Sequence, residues 1–250
     1  MKFGNEAVKP QVDAASILDV AIVEQVKTYG LTTRAAWSNS PIVKSLTPQD
    51  IAFSLRRLTT RRILEPHPLH HGRHYFTLTK LEAKKIGCET TSGGPFHERA
   101  KFLAYAKLLV GLIHLPNATP LRLAVRSNML GSEAIGLPDT MMLSSDATKI
   151  FWIRIDASIR SKPSRTAQQL RTDVFRIVKI DSICDLIREK RFELVLVACT
   201  QARSNSIMEY FQSYERVGAS PIRTIIIPEL IPLVTSVPLG GPTAPPKFPL

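Results

Sequence analysis

Arginine is concentrated at Arg56, Arg57, Arg61 and Arg62, within a single short stretch of the chain. If residues 48–62 form a helix, the advance of about 100° per residue places Arg56 and Arg57 on one polar face. The residues expected on this face or at the helix end are Gln49, Phe53, Arg56, Arg57, Thr60, Arg61 and Arg62. A planar guanidinium can pair with two acceptors at once, on guanine or on a phosphate. The alternative interpretation is a solvated face with cations favourably placed near the helix C-terminus.

Four of the 6 histidines lie just beyond this stretch, at His67, His70, His71 and His74. Imidazole is a good zinc ligand, so a metal site is one hypothesis. However, no cysteine or carboxylate cluster accompanies these histidines, and a hairpin would hold several of them apart. The sequence therefore favours a second hypothesis, in which His71 and Arg73 stand at a basic hairpin tip that meets phosphate or a minor groove.

The helix that would carry the arginines has clear sequence signals. Thr47 stands before Pro48, and its hydroxyl can accept hydrogen bonds from the first-turn amides. Ile51, Leu55 and Leu58 recur at helical spacing, so they predict the buried side of the helix.

Residues 15–87 contain the other elements needed to position this helix. The predicted elements are a helix over residues 15–29 that stops at Gly30, a short helix ending at Trp37, the helix over 48–62, strands over 63–67 and 73–78, and a helix from Thr79 to Gly87. This order is typical of a winged helix-turn-helix. The sequence therefore predicts a DNA-binding domain with helix 48–62 in the major groove and the tip at 68–73 on the flanking backbone.

A polar, glycine-rich linker at residues 88–95 separates this domain from a second one predicted over residues 96–230. Its expected elements are a helix over 96–112, strands over 121–125, 139–143 and 150–155, a long helix over 165–190, a strand over 194–198, a helix over 206–214 and a strand over 222–227. Adjacent apolar runs suit strands that are covered on both faces. The element order predicts a mixed α/β fold, and residues 231–250 are expected to form a proline-rich tail.

Two acidic residues stand beside predicted strands of the second domain, Asp139 after Pro138 and Asp156 after the third strand. With this element order they resemble the core of the PD-(D/E)xK nucleases, which implies a restriction-endonuclease-like α/β fold. The resemblance implies that Asp139 and Asp156 hold a divalent ion such as Mg2+, with Glu98 as an auxiliary acid. Ser158 stands where those enzymes carry a lysine, which implies a degenerate core.

A winged helix followed by such a core resembles the replication-relaxation proteins of bacterial plasmids and other mobile elements. The resemblance spans residues 15–230 in element order. It is carried by the segment HYFTLTKLEAKKIG and by the pair LPD and IRID. It implies a protein that regulates replication or transcription on DNA. Arg154 occupies a position where that family usually has glutamate, which again implies a core without catalysis.

The net charge of +12 suits a polyanionic partner. The chain has three cysteines, Cys88, Cys184 and Cys199, which are odd in number and far apart. This pattern supports neither a disulfide framework nor a zinc knuckle. It suits a reducing compartment, so the cytoplasm is the expected location. The longest apolar run is too short to span a bilayer, so no membrane partner is expected. The glycine patterns of nucleotide-binding loops are missing from the sequence.

The sequence therefore predicts a protein without a cofactor that binds double-stranded DNA and regulates transcription or replication. Two alternatives stay open, namely a Mg2+-dependent endonuclease targeted by the winged helix and a protein-interaction adaptor without catalysis. Winged helices often bind two half-sites as dimers, so a homodimer is a further expectation.

Overall fold

A computed structural model describes residues 14–38, 47–88, 94–115, 118–121, 130, 141–156, 161–213 and 222–236. The chain divides into two compact units between Pro95 and Phe96. Each unit buries an apolar core of its own. Helices and two β-sheets together confirm the predicted mixed α/β class.

The N-terminal unit combines helices with a small antiparallel sheet. Its elements are α1 (Ala14–Tyr29), β1 (Thr32–Thr33), α2 (Arg34–Ser38), α3 (Pro48–Thr60), β2 (Leu64–Pro68), β3 (His74–Leu78) and α4 (Lys80–Lys85). The strand order is β1-β3-β2. The register of the hairpin pairs Leu64 with Leu78 and Pro68 with His74. The predicted helices and strands are found here with ends shifted by a few residues, and residues 32–33 form an additional short strand.

Helix α3 begins at the predicted start signal. The Thr47 hydroxyl accepts a hydrogen bond from the Asp50 N–H at 3.2 Å, and Asp50 Oδ2 accepts one from the Thr47 N–H at 2.8 Å. These reciprocal bonds satisfy two amides that a helix start would otherwise leave open. Hydrogen bonds from the Thr47 side chain and backbone also hold the pKa of Asp50 below its usual value.

The buried side of α3 packs on α1, α2 and β2. The residues that form this core include Leu18, Ile22 and Val26 of α1, Ile51, Leu55 and Leu58 of α3, and Leu64 and Leu78 of the hairpin. The apolar stripe predicted for α3 is confirmed, since its three members are at most 3% exposed. The opposite face of α3 is therefore left to solvent.

The C-terminal unit is built on a five-stranded sheet. Its elements are α5 (Glu98–Leu109), a π-helical turn (Val110–His114), β4 (Thr119–Pro120), β5 (Met141–Leu143), β6 (Ile150–Ile155), α6 (Pro163–Ile177), α7 (Asp181–Arg188), β7 (Phe192–Ala198), α8 (Gln201–Gln212), β8 (Ile222–Ile226), a 3-10 turn (Pro228–Leu230) and α9 (Ile231–Ser236). The sheet order is β4-β5-β6-β7-β8. Strands β4, β5 and β6 pair antiparallel, whereas β6, β7 and β8 pair parallel.

Helices α6 and α8 cover one side of the parallel strands. Trp152 on β6 is fully buried, together with Leu170 of α6, Leu194 and Leu196 of β7, and Ile207 of α8. Consecutive residues of β6 and β7 are buried, so both faces of these strands are covered. Strands buried on both faces read as continuous apolar runs, which is why β6 and β7 could be recognised in the sequence. Among the described residues, no helix has the length and apolar character that a membrane crossing requires.

Three predicted elements of this unit differ from the structure. The long helix expected over residues 165–190 is two helices, because α6 ends at Ile177 and α7 begins at Asp181. No proline or glycine marks this break, and Ile180 is turned into the core there at 7% exposure. The helix expected over 206–214 begins earlier, at Gln201, where Thr200 caps it.

The third difference concerns the expected proline-rich tail over residues 231–250. Its first part, Ile231–Ser236, is helical, and Leu233 is only 1% exposed. The later part lies outside the described residues. Of the strand expected over 121–125, only residue 121 is described, and β4 lies just before it.

Candidate nucleic-acid interface

The solvent face of α3 carries a straight row of exposed side chains. Gln49, Phe53, Arg56 and Thr60 follow one another at intervals of one helical turn, and all four are exposed. They lie opposite the buried stripe of α3, as the helical period requires. Three of the four can donate or accept hydrogen bonds, so the row presents a polar, basic edge with one aromatic ring in it.

Arg57 does not belong to this row. Its Nε donates to Asp19 Oδ2 at 2.7 Å, and the two side chains are only 20% and 13% exposed. Arg57 therefore ties α3 to α1, although the sequence grouped it with Arg56. The prediction missed this role because the partner, Asp19, lies 38 residues earlier in the chain.

The end of α3 leaves two further arginines in solvent. Arg61 and Arg62 are both exposed. Arg62 has a φ of 55°, and its N–H donates to the carbonyl oxygen of Thr59, while the N–H of Ile63 donates to that of Leu58. Helices commonly end with this pair of hydrogen bonds, and the residue in the left-handed conformation is usually glycine. Here that residue is Arg62. The Thr79 hydroxyl also donates to the Arg62 carbonyl oxygen at 2.9 Å, which fixes the turn against the start of α4.

A tight turn closes the hairpin between β2 and β3. His71 and Gly72 have φ values of 45° and 70°, the positive pair that a type I′ turn needs. The Arg73 N–H donates to the His70 carbonyl oxygen at 2.8 Å. His71 and Arg73 are exposed at this turn, as predicted, and His74 is exposed beside them.

The histidines of the hairpin do not share one environment. His67 is only 5% exposed; its Nε2 lies 3.0 Å from Thr77 Oγ1, and its ring lies 5.0 Å from that of Tyr75. Burial lowers the pKa of His67, so its neutral form is favoured. His67 is therefore a core residue. Within the described part of the chain, no group of three or more His, Cys, Asp or Glu side chains could hold a metal ion.

Asp156 follows β6 in the C-terminal unit and is almost completely enclosed. Its Oδ1 accepts a hydrogen bond from the Thr166 hydroxyl at 2.9 Å. Its Oδ2 accepts one from Arg203 Nε at 2.7 Å, and the Arg203 and Asp156 side chains are 9% and 4% exposed. Arg203 also donates to the Ser161 carbonyl oxygen at 2.6 Å. A carboxylate whose two oxygens already face a hydroxyl and a guanidinium does not suit a divalent cation.

Of the other residues that the nuclease resemblance implied, the structure describes Glu98 and Arg154, and both bind partners other than Asp156. Asp139 and Ser158 lie outside the described residues. Glu98 is on α5 and accepts a hydrogen bond from Lys101 Nζ at 2.6 Å. Arg154, at the position where glutamate would be expected, pairs with Asp173 at 3.1 Å. The sequence did not single out Arg203, although its place in the first turn of α8 puts it beside the end of the parallel strands.

Burial also suppresses the reactivity of one cysteine near Asp156. Cys199 is 2% exposed, and burial, together with the charge of Asp156, raises its pKa to about 12. A thiol with such a pKa is not a nucleophile at neutral pH.

The exposed row on α3 and the hairpin tip are the described features whose chemistry most clearly suits the binding of a ligand. Comparisons of the chain with models of known protein families, with curated proteins and with solved structures yielded no match.

Proposed function

We propose that the N-terminal unit is a winged helix-turn-helix that binds double-stranded DNA. In this proposal α3 enters the major groove and the turn at His71–Arg73 meets the flanking sugar–phosphate backbone. The observation that carries the proposal is the exposed row of Gln49, Phe53, Arg56 and Thr60 along α3, opposite a fully buried stripe. A helix presented in this way matches the dimensions of the major groove.

The distribution of charge supports the same partner. Arg56, Arg61, Arg62 and Arg73 are exposed, and none of them forms an ion pair within the part of the chain that the structure describes. Four such guanidinium groups on one small unit favour a polyanion. Amide and guanidinium groups in the row on α3 can also pair with the edges of adenine and guanine.

The C-terminal unit is assigned a supporting role in assembly or partner binding. The resemblance to the replication-relaxation proteins implies that the whole chain regulates replication or transcription, on a mobile element. Cleavage of DNA finds less support, because Arg203 and Thr166 occupy both oxygens of Asp156. We therefore assign no metal-dependent step to this unit.

The test is a titration of the full-length protein against a random-sequence 30-bp duplex at two or more salt concentrations. Arg56→Ala together with Arg73→Ala should weaken binding and should reduce the slope of log K against log salt by about 0.9 for each phosphate contact that is lost. Arg188→Ala is the control for the loss of an exposed positive charge in the other unit, since Arg188 is 76% exposed on α7. The control should bind as the wild type does.

Other outcomes would contradict the proposal in distinct ways. Equal affinity and equal slope in the wild type and the double variant would mean that α3 and the hairpin tip do not contact DNA. No salt-dependent binding at any concentration would favour the protein-interaction adaptor. Cleavage that requires Mg2+ and survives in Asp156→Ala would place a nuclease site elsewhere in the chain.

A further inference from the structure

We infer that Phe53 reads the 5-methyl group of thymine in the major groove. This inference rests on the proposed DNA-binding function and names the base contact that an apolar residue of α3 would supply. It concerns a large apolar side chain that is 62% exposed, so most of its surface is not used by packing within the fold.

Phe53 is placed where a base contact would have to be made. Its side chain is 62% exposed, although the ring is the largest apolar group on α3. It lies one turn after Gln49 and about one turn before Arg56, so it sits within the exposed row and not at its margin. Any duplex that meets both Gln49 and Arg56 would also meet the ring between them.

The ring is held in place by the ion pair beneath it. The guanidinium carbon of Arg57 lies 5.4 Å from the centroid of the Phe53 ring, within the range of a cation–π contact. Arg57 is itself fixed by Asp19 at 2.7 Å. Because the ring is supported on one side, less conformational freedom is lost when its other side meets a ligand.

The chemistry of the surroundings selects the ligand. Thymine is the base that presents a methyl group in the major groove, and apolar side chains, phenylalanine among them, contact it. The neighbouring groups are an amide on Gln49 and the exposed guanidinium of Arg56. A protein partner for Phe53 would need an acidic rim to match this arginine, whereas the major groove offers methyl groups and hydrogen-bond acceptors together.

The test replaces thymine by uracil, which removes only the methyl group. A duplex is first enriched from a random-sequence pool with the wild-type protein, and it is then synthesised with each thymine replaced in turn. Burial of one methyl group corresponds to about a fourfold change in affinity. We expect the wild type to lose about this factor at one thymine or more, and Phe53→Ala to bind the thymine and uracil duplexes equally.

The control is Leu81→Ala, which removes another exposed apolar side chain of the same unit, 65% exposed on α4. It should keep the wild-type preference for thymine. Circular dichroism should show that all three proteins are folded.

The inference and the proposed function fail in different ways. If the wild type binds the enriched duplex but does not distinguish uracil from thymine at any position, DNA binding stands and the methyl contact is wrong. The same holds if Phe53→Ala keeps the full preference, or if the enriched duplex contains no thymine. If no duplex is enriched and binding does not depend on salt, both are wrong.

Discussion

Two adjacent arginines on α3 should behave very differently when each is replaced by alanine. Arg56 is exposed in the row on α3, whereas Arg57 is bound to Asp19 with both side chains at most 20% exposed. The remaining oxygen, Asp19 Oδ1, is buried and has no hydrogen-bond partner among the described residues. In Arg57→Ala the Asp19 carboxylate would therefore stay partly buried with neither oxygen compensated.

The magnitude follows from the degree of burial. Removing one partner of a fully buried ion pair costs about 3–5 kcal/mol, and an exposed pair contributes about 0–1 kcal/mol. The Arg57–Asp19 pair, at 20% and 13% exposure, is closer to the buried case. We therefore expect Arg57→Ala to lower the unfolding free energy of the N-terminal unit by about 2–3 kcal/mol. Arg56→Ala should stay within about 0.5 kcal/mol of the wild type.

Urea titration read by hydrogen-exchange mass spectrometry separates the two units, because peptides from α1 and α3 report on the N-terminal unit alone. The expected change for Arg57→Ala is a midpoint lower by about 1–2 M. Arg56→Ala should keep the wild-type midpoint and lose DNA affinity. In a double-mutant cycle, Asp19→Ala with Arg57→Ala should cost less than the sum of the single changes.

The opposite result would refute this account of α3. If Arg57→Ala kept the wild-type midpoint and weakened DNA binding as much as Arg56→Ala does, the pair with Asp19 would contribute nothing. Arg57 would then belong to the DNA-contacting face, as the sequence pattern predicts.

Three further changes test other parts of the structure. Arg62→Gly should raise the unfolding free energy by about 1 kcal/mol, because glycine adopts the left-handed conformation at this position without strain. The same change should weaken DNA binding. A lower unfolding free energy in urea titration would contradict the expected stabilisation. Arg203→Ala should lower the unfolding free energy of the C-terminal unit by about 3–5 kcal/mol, since it leaves the Asp156 carboxylate buried and unpaired. Added Mg2+ should not restore this loss, and restoration would show that Asp156 can hold a metal. The unfolding free energy of the N-terminal unit should fall as pH drops below 6.5, because the unfolded chain binds a proton at His67 that the folded chain, with its lowered pKa, does not. His67→Gln should flatten this pH profile, and an unchanged profile would show that His67 is not the cause.

Much of the N-terminal unit could be predicted because its signals are local. The start of α3 is marked by Thr47, Pro48 and Asp50, which lie within four consecutive residues. The spacing of Ile51, Leu55 and Leu58 sets the buried side of the helix. Caps and helical spacing depend on neighbours in the chain, so they are present in the sequence before any packing takes place. The apolar runs of β6 and β7 are local signals of the same kind.

The remaining features depend on partners that are distant in the chain. Helical spacing alone cannot separate Arg56 from Arg57, because both lie on the same polar half of α3, and only the packing of α1 brings Asp19 to one of them. Likewise, Asp156 looks like a metal ligand at a strand end until the fold places Arg203, 47 residues later, against its carboxylate. The sequence by itself determined most helices and strands of the N-terminal unit and its basic face, since these arise from short-range periodicity. The tertiary structure decided which charges are neutralised and which stay free, because an ion pair is made by proximity in space.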